Sequence, residues 1–173
     1  MSFFTNLRAD RLIAEIKAAD DSDGHKTSLE KLVRLGPSAI PRILDALASA
    51  DNRETAGFVA VLTALLDNKS FPAVASGLTQ GNQRTVAGAA TALSNSRNYP
   101  ANLLFGLLDQ PAMPKGTVVG ILTAQKSRLN ARDVLQRAYN QDAAEKAAMF
   151  RIVSDIADAS IVPELLSRLE GKD

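Results

Sequence analysis

The sequence predicts an all-α protein built from repeated helix pairs, and three observations carry that expectation. Proline recurs at the mouth of helix-like segments, in "AIPRILDAL", "SFPAVASGL", "NYPANLLFGLL" and "SIVPELLSRL", with Pro41, Pro72, Pro100 and Pro163 spaced 31, 28 and 63 residues apart. The last gap holds two further periods, with Ala131 standing where the intervening proline would be. After each start the apolar residues fall at helical spacing, as in Ile40, Ile43, Leu44 and Leu47. Composition agrees: at 46% hydrophobic, 5% aromatic and no tryptophan, the core has to be aliphatic, which suits closely approaching helices.

The elements follow in chain order. Leu7 to Ala19 reads as one amphipathic helix and Thr27 to Leu35 as a second that ends at Gly36-Pro37, a degenerate first pair within residues 1–36. Terminal units of a stack are atypical because one side meets solvent. Regular repeats occupy 37–173, the last one incomplete, and the whole of 1–173 forms a single domain. Proline in the first turn of a helix removes an N–H that has no internal acceptor, and its fixed φ suits that position. Each start therefore opens a short outer helix, here called A. Between them "RETAGFVAVLTALLD" from Arg53, "RTVAGAATALSN" from Arg84, Pro114 to Lys126 and Asp142 to Asp158 read as second, inner helices, B, the first two introduced by the turns "SADN" and "TQGN". Gly57, Gly88, Gly116 and Gly120 sit inside B helices at a cost of about 1 kcal/mol each, which predicts close helix contact at all four. Ile161 to Leu169 is an A helix with no B partner before Asp173; it serves as a cap unless the natural chain continues.

Bulk properties narrow the function classes. Without cysteine there is no disulfide framework, thiolate metal site or cysteine nucleophile, and a single histidine, His25, cannot build a multi-histidine centre within one chain. The N-terminus lacks a basic leader followed by a long apolar stretch, and the longest mostly apolar run, Ala56 to Leu66, is too short to span a bilayer. The expectation is a cytoplasmic protein with no membrane partner. Net charge is +1, distributed unevenly: Arg84 to Arg137 carries +5, residues 1–83 carry −1 and 138–173 carry −3. The basic middle offers few aromatic platforms, Tyr99, Phe105 and, just beyond, Tyr139, so the balance argues against nucleic acid.

With its A-helix proline and a basic residue opening helix B, "LGPSAIPRILDALASADNRETAGFVAVL" resembles the HEAT-repeat family, in particular its short bacterial type also seen in phycobilin lyases. The resemblance covers roughly residues 25–173 and implies an α-solenoid of stacked antiparallel helix pairs with a period of about 31 residues, A helices convex and B helices concave. It also implies an extended surface for binding proteins, with lyases and some DNA-repair enzymes as exceptions.

The most regular polar feature is a ladder, Arg53, Arg84, Lys115 and Lys146, separated by 31 residues at every step and placed in the first turn of each B helix. As partner-binding residues they would form a basic stripe near one edge of the concave face, facing an acidic surface. As scaffold residues they would bond carbonyls or acids of the adjacent repeat, which has polar groups to satisfy whatever the protein does. A cation at the positive end of its own helix needs compensation, and Asp51, Glu54, Asp142 and Glu145 are near in sequence. Arg84 and Lys115 have no acid within three residues, which makes them the stronger contacts for a partner.

Counted from Ala19, Asp21, Asp23, Gly24 and Glu30 occupy positions 3, 5, 6 and 12 of a calcium loop, but Ala19 and Lys26 break the pattern at positions 1 and 8. The segment is expected to be a solvated turn with a Thr27–Glu30 capping box and a surface His25. There is no glycine-rich phosphate loop, serine elbow or paired-carboxylate motif. The expected function is a protein-binding scaffold or regulatory module, neither an enzyme nor a holder of cofactor or metal; the alternatives are a lyase or chaperone-like subunit acting on a tetrapyrrole-bearing protein and a DNA-binding repair protein of HEAT type.

Overall fold

A computed structural model describes residues 3–19 and 22–169, and every regular element in it is helical. The chain divides into two compact units, Met1–Pro100 and Ala101–Asp173.

The first unit contains α1 (Phe3–Ala18), α2 (Ser22–Leu35), α3 (Ile40–Leu47), α4 (Asn52–Leu65), α5 (Phe71–Ala75) and α6 (Gln83–Asn95). Contacts order them in two rows, α1 on α3 on α5 and α2 on α4 on α6, joined by the pairs α1/α2, α3/α4 and α5/α6. This is the helical-repeat-like arrangement that the proline spacing predicts. Pro41 and Pro72 each stand in the first turn of their helix, α3 and α5. B helices start on side-chain caps: Asp51 and Glu54 form a reciprocal capping box on α4, and Asn82 accepts from the Arg84 and Thr85 amides on α6. Between the rows lies an aliphatic core in which Ile40, Ile43, Leu44, Leu47, Phe58, Leu62 and Leu93 are all but sealed from solvent. Each such side chain contributes about 1.5–3 kcal/mol.

Two glycines confirm close approach and two correct it. A Cβ on Gly57 would stand 2.9 Å from a Leu29 methyl, and one on Gly88 would stand 2.8 Å from a Leu47 methyl. Gly116 and Gly120 face open space, with nothing within 4 Å of such a Cβ, so their helix is glycine-containing for no packing reason. A glycine outside the B helices is tighter: Gly77, in the 3-10 turn Ser76–Thr79 after α5, would meet Leu44 at 2.8 Å and the Ala89 Cβ at 2.9 Å.

The expected turn before Thr27 is also corrected. Helix α2 begins at Ser22 and takes in Gly24, His25, Thr27 and Glu30, so neither a calcium loop nor a capping box at Thr27 exists there; Asp21 lies outside the described residues. His25 is buried, and its Nε2 has no hydrogen-bond partner among the described residues. Burial of His25 and Ser28, whose hydroxyl donates to Glu15 at 3.4 Å, explains why the helix extends beyond its apolar pattern.

The second unit contains α7 (Leu103–Leu108), α8 (Lys115–Ala124), α9 (Ala131–Ala138), α10 (Ala143–Ile156) and α11 (Val162–Leu169). Helix α8 packs on α7 and α10, and α10 packs on α9. Where proline is missing, Asn130 caps α9, accepting from the Arg132 amide at 2.9 Å. Pro100 differs from the other prolines: α7 starts three residues later, after a turn in which Leu104 and Phe105 bond the carbonyls three positions back.

Candidate functional site

The B helices of the first unit define an open groove. Helix α4 presents Ala56, Val59, Ala60 and Thr63 at helical spacing, and α6 presents Ala87, Gly88 and Thr91 beside them. These small side chains leave two adjoining clefts of about 470 and about 640 Å³ that share Ala56, Val59 and Thr91. Thr63 and Thr91 each donate their hydroxyl at 2.8 Å to the carbonyl four residues back, so that proton is already spent inside the helix. Asn95, Ser96 and Asn98 line the far end of the larger cleft with amide and hydroxyl groups. The sequence signal for this surface was the run of alanine, glycine and threonine in "RTVAGAATALSN", which identified close helices without identifying a groove.

Arg84 stands at the other end, lining the smaller cleft. Its Nη1 donates to the Ala50 carbonyl at 2.6 Å, and Arg53 Nη1 donates to the Ala19 carbonyl at 3.2 Å. Both bonds reach back 34 residues, and Asn82 Nδ2 makes a third such link, to the Ala48 carbonyl at 3.4 Å. The buried Thr85 adds a bond from its hydroxyl to the Leu44 carbonyl at 3.2 Å.

The physical cause lies where helices end. The Ala19 and Ala50 carbonyls lie just beyond the C-terminal ends of α1 and α3, where the chain leaves backbone acceptors without intrahelical donors, and a guanidinium from α4 or α6 satisfies them. Backbone carbonyls thus take a donor from both Arg53 and Arg84, while Asp51 and Glu54 are engaged with each other's amides.

The other two ladder residues lie in the second unit, in different surroundings. Lys115 is the first residue of α8 and half-buried; among the described residues its side chain makes no hydrogen bond or ion pair. Lys146, in the first turn of α10, holds its ammonium 6.0 Å from the centroid of the Tyr139 ring, which in turn meets Phe150 edge-on at 5.4 Å. Other basic residues of this unit are tied to acids, Arg137 to Asp109 at 2.5 Å and Lys126 to Asp155 at 2.7 Å.

Among the described residues no group of three or more His, Asp or Glu side chains is placed to hold a metal ion, and no helix is long and apolar enough to cross a membrane. No family model, curated protein or solved structure matches the chain.

Proposed function

We propose that the chain is a HEAT-like α-solenoid that acts as a protein-binding scaffold or regulatory module, with no catalytic activity of its own, and that it receives a segment of its partner in the α4/α6 groove. The observation that carries this reading is the groove itself: Ala56, Ala60 and Ala87 open to solvent beside a well-packed core, with polar ends. Small side chains let another backbone approach closely, and amides such as Asn95 and Asn98 are suited to bonding it. Arg84 at the smaller cleft favours a partner segment carrying acidic residues at the corresponding end. Of the four ladder residues it is the one whose position serves both scaffold and partner.

Filling the groove tests this directly. Ala60→Trp places a bulky ring on an exposed groove position and should leave the melting temperature within a few degrees of the wild type. In parallel affinity captures from the source cells, a protein retained by the wild type and lost from Ala60→Trp, with its binding then reproduced by purified components, is the expected result. Equal retention by both proteins would remove the groove from consideration.

A further inference from the structure

Phe4 and Leu7 are 73% and 58% exposed on α1, and Phe4 is the most exposed large apolar side chain among the described residues. Ala9, Ile13 and Ile16 face the core from the opposite side of that helix, so packing α1 on its neighbours turns Phe4 and Leu7 outward. Two neighbouring apolar side chains rimmed by charge mark an interaction surface, which a single one would not.

The rim is basic. Three residues separate α1 from α2 and the helices pack antiparallel, which sets the start of α1 beside the end of α2. Arg8 and Arg11 follow Phe4 at the four- and seven-residue spacing of one helix face. Across a cleft of about 310 Å³, α2 adds Lys31 and Arg34. The nearby acids of α1 are engaged: Arg11 holds Glu15 at 3.1 Å and Arg42 holds Asp10 at 3.5 Å. Arg8, Lys31 and Arg34 form no ion pair among the described residues, and Glu30, one turn before Arg34 and likewise unpaired, offsets one of the three.

We propose that this end of the first helix pair docks on an anionic lipid surface, with Phe4 and Leu7 entering the headgroup boundary and Arg8, Lys31 and Arg34 meeting the lipid phosphates and carboxylates. Shape and charge together select a bilayer over a partner segment. A segment lying in the α1/α2 cleft would cover Leu12 and Leu35, which line it, and would leave Phe4 and Leu7 outside, since neither does. A surface laid across the α1 ridge covers both exposed apolar side chains and the cations beside them at once. Long cationic side chains can hold their charge at the headgroups while their stems lie along apolar surface. The expectation of no membrane partner rested on the lack of a spanning segment, and a surface contact needs none. With two apolar anchors and three free cations against one acid, the attachment is weak and reversible. It rests on neither the α4/α6 groove nor that groove's partner.

Co-sedimentation of the purified full chain with large vesicles tests it, phosphatidylcholine alone against the same lipid with about one-third phosphatidylserine. The expected result is protein that pellets only with the anionic vesicles and is released as salt rises from about 50 to about 300 mM. Each Lys or Arg near such a surface is worth about fivefold in partitioning, so Arg8→Gln with Arg34→Gln should weaken binding at least about tenfold. Arg132→Gln removes an exposed cation from α9 and should bind within about twofold of the wild type. These positions are exposed, and unchanged melting curves verify folding. The chain has no tryptophan, so Phe4→Trp gives a background-free probe whose emission should shift to the blue on anionic vesicles. A wild type that stays in the supernatant at millimolar anionic lipid and low salt overturns the proposal. So does an equal loss of binding in Arg132→Gln and the Arg8/Arg34 pair, or Trp emission that does not move when the protein is bound. If the wild type ignores the vesicles but binds poly-glutamate in an Arg8- and Arg34-dependent way, the occupant is an acidic protein segment and the membrane assignment is wrong.

Discussion

At the scale of single residues, spacing and environment carry different information. Arg84 and Lys115 look equivalent in sequence, yet the Arg84 side chain donates at 2.6 Å to the Ala50 carbonyl while the Lys115 side chain forms no hydrogen bond or ion pair among the described residues. Arg84→Ala should therefore cost about 1–2 kcal/mol, a charge-assisted bond lost to the backbone that follows α3, and Lys115→Ala should cost less than about 0.5 kcal/mol. Urea denaturation of the two variants against the wild type checks the contrast; equal losses would mean that Arg84 contributes no more than a surface cation. Asp67 shows a second local effect. Its Oδ1 accepts from the Ser70 amide at 2.7 Å, the Ser70 hydroxyl at 2.8 Å and the Lys69 amide at 2.8 Å, and these bonds, the Ser70 amide foremost, hold its carboxyl below the ordinary value. A carboxylate whose folded pKa is depressed stabilises the fold fully above its unfolded value, about 4, and loses that contribution as pH falls through the lower folded value. The group is exposed, so the effect is modest. Melting temperatures of Asp67→Asn and wild type should differ at neutral pH and converge as pH falls through the depressed folded value; a difference that persists undiminished in acid would assign the effect to hydrogen-bond geometry rather than charge.

At the scale of elements, glycine separates packing from tolerance. Gly77 sits where a Cβ would come within 2.9 Å of the Ala89 Cβ, an atom fixed to the backbone of α6, and 2.8 Å from a Leu44 methyl. Gly77→Ala should lose about 1–3 kcal/mol because α6 must shift to admit it. Gly120 lies inside α8 with open space beside it, so Gly120→Ala should gain about 0.5–1 kcal/mol by removing the helix penalty of glycine and restricting the unfolded chain. Denaturant midpoints of opposite shift are the expected outcome; a destabilising Gly120→Ala would show that something covers that face of α8. Both glycines look alike from the sequence, since helical context says nothing about what stands opposite. Helix starts, by contrast, were legible: Pro41 and Pro72 lie in the first turns of α3 and α5, and Asn130 performs the same service for α9 as a cap. His25 was misplaced because a polar stretch, "SDGHK", carries no apolar period, and only contact with neighbouring helices keeps it helical.

At the scale of the whole molecule, the α4/α6 groove is the surface proposed to receive a partner, and filling it with Ala60→Trp tests that reading without disturbing the core. The sequence by itself determined the all-helical class, the periodic helix starts and the aliphatic core, because proline geometry, side-chain caps and apolar spacing act within one or two turns of chain. Tertiary structure alone decided that Arg53 and Arg84 spend a donor on carbonyls 34 residues back, that Gly57, Gly77 and Gly88 touch neighbours while Gly116 and Gly120 do not, and that Arg8, Arg11, Lys31 and Arg34 gather around one cleft. The "RADR" and "KLVR" spacings of that cluster were visible in the chain, but two i, i+3 pairs become a single site only when two helices pack side by side. The physical reason is range: hydrogen bonds and rotamers along a helix are local, whereas what stands across a helix interface is set by packing between residues far apart in sequence.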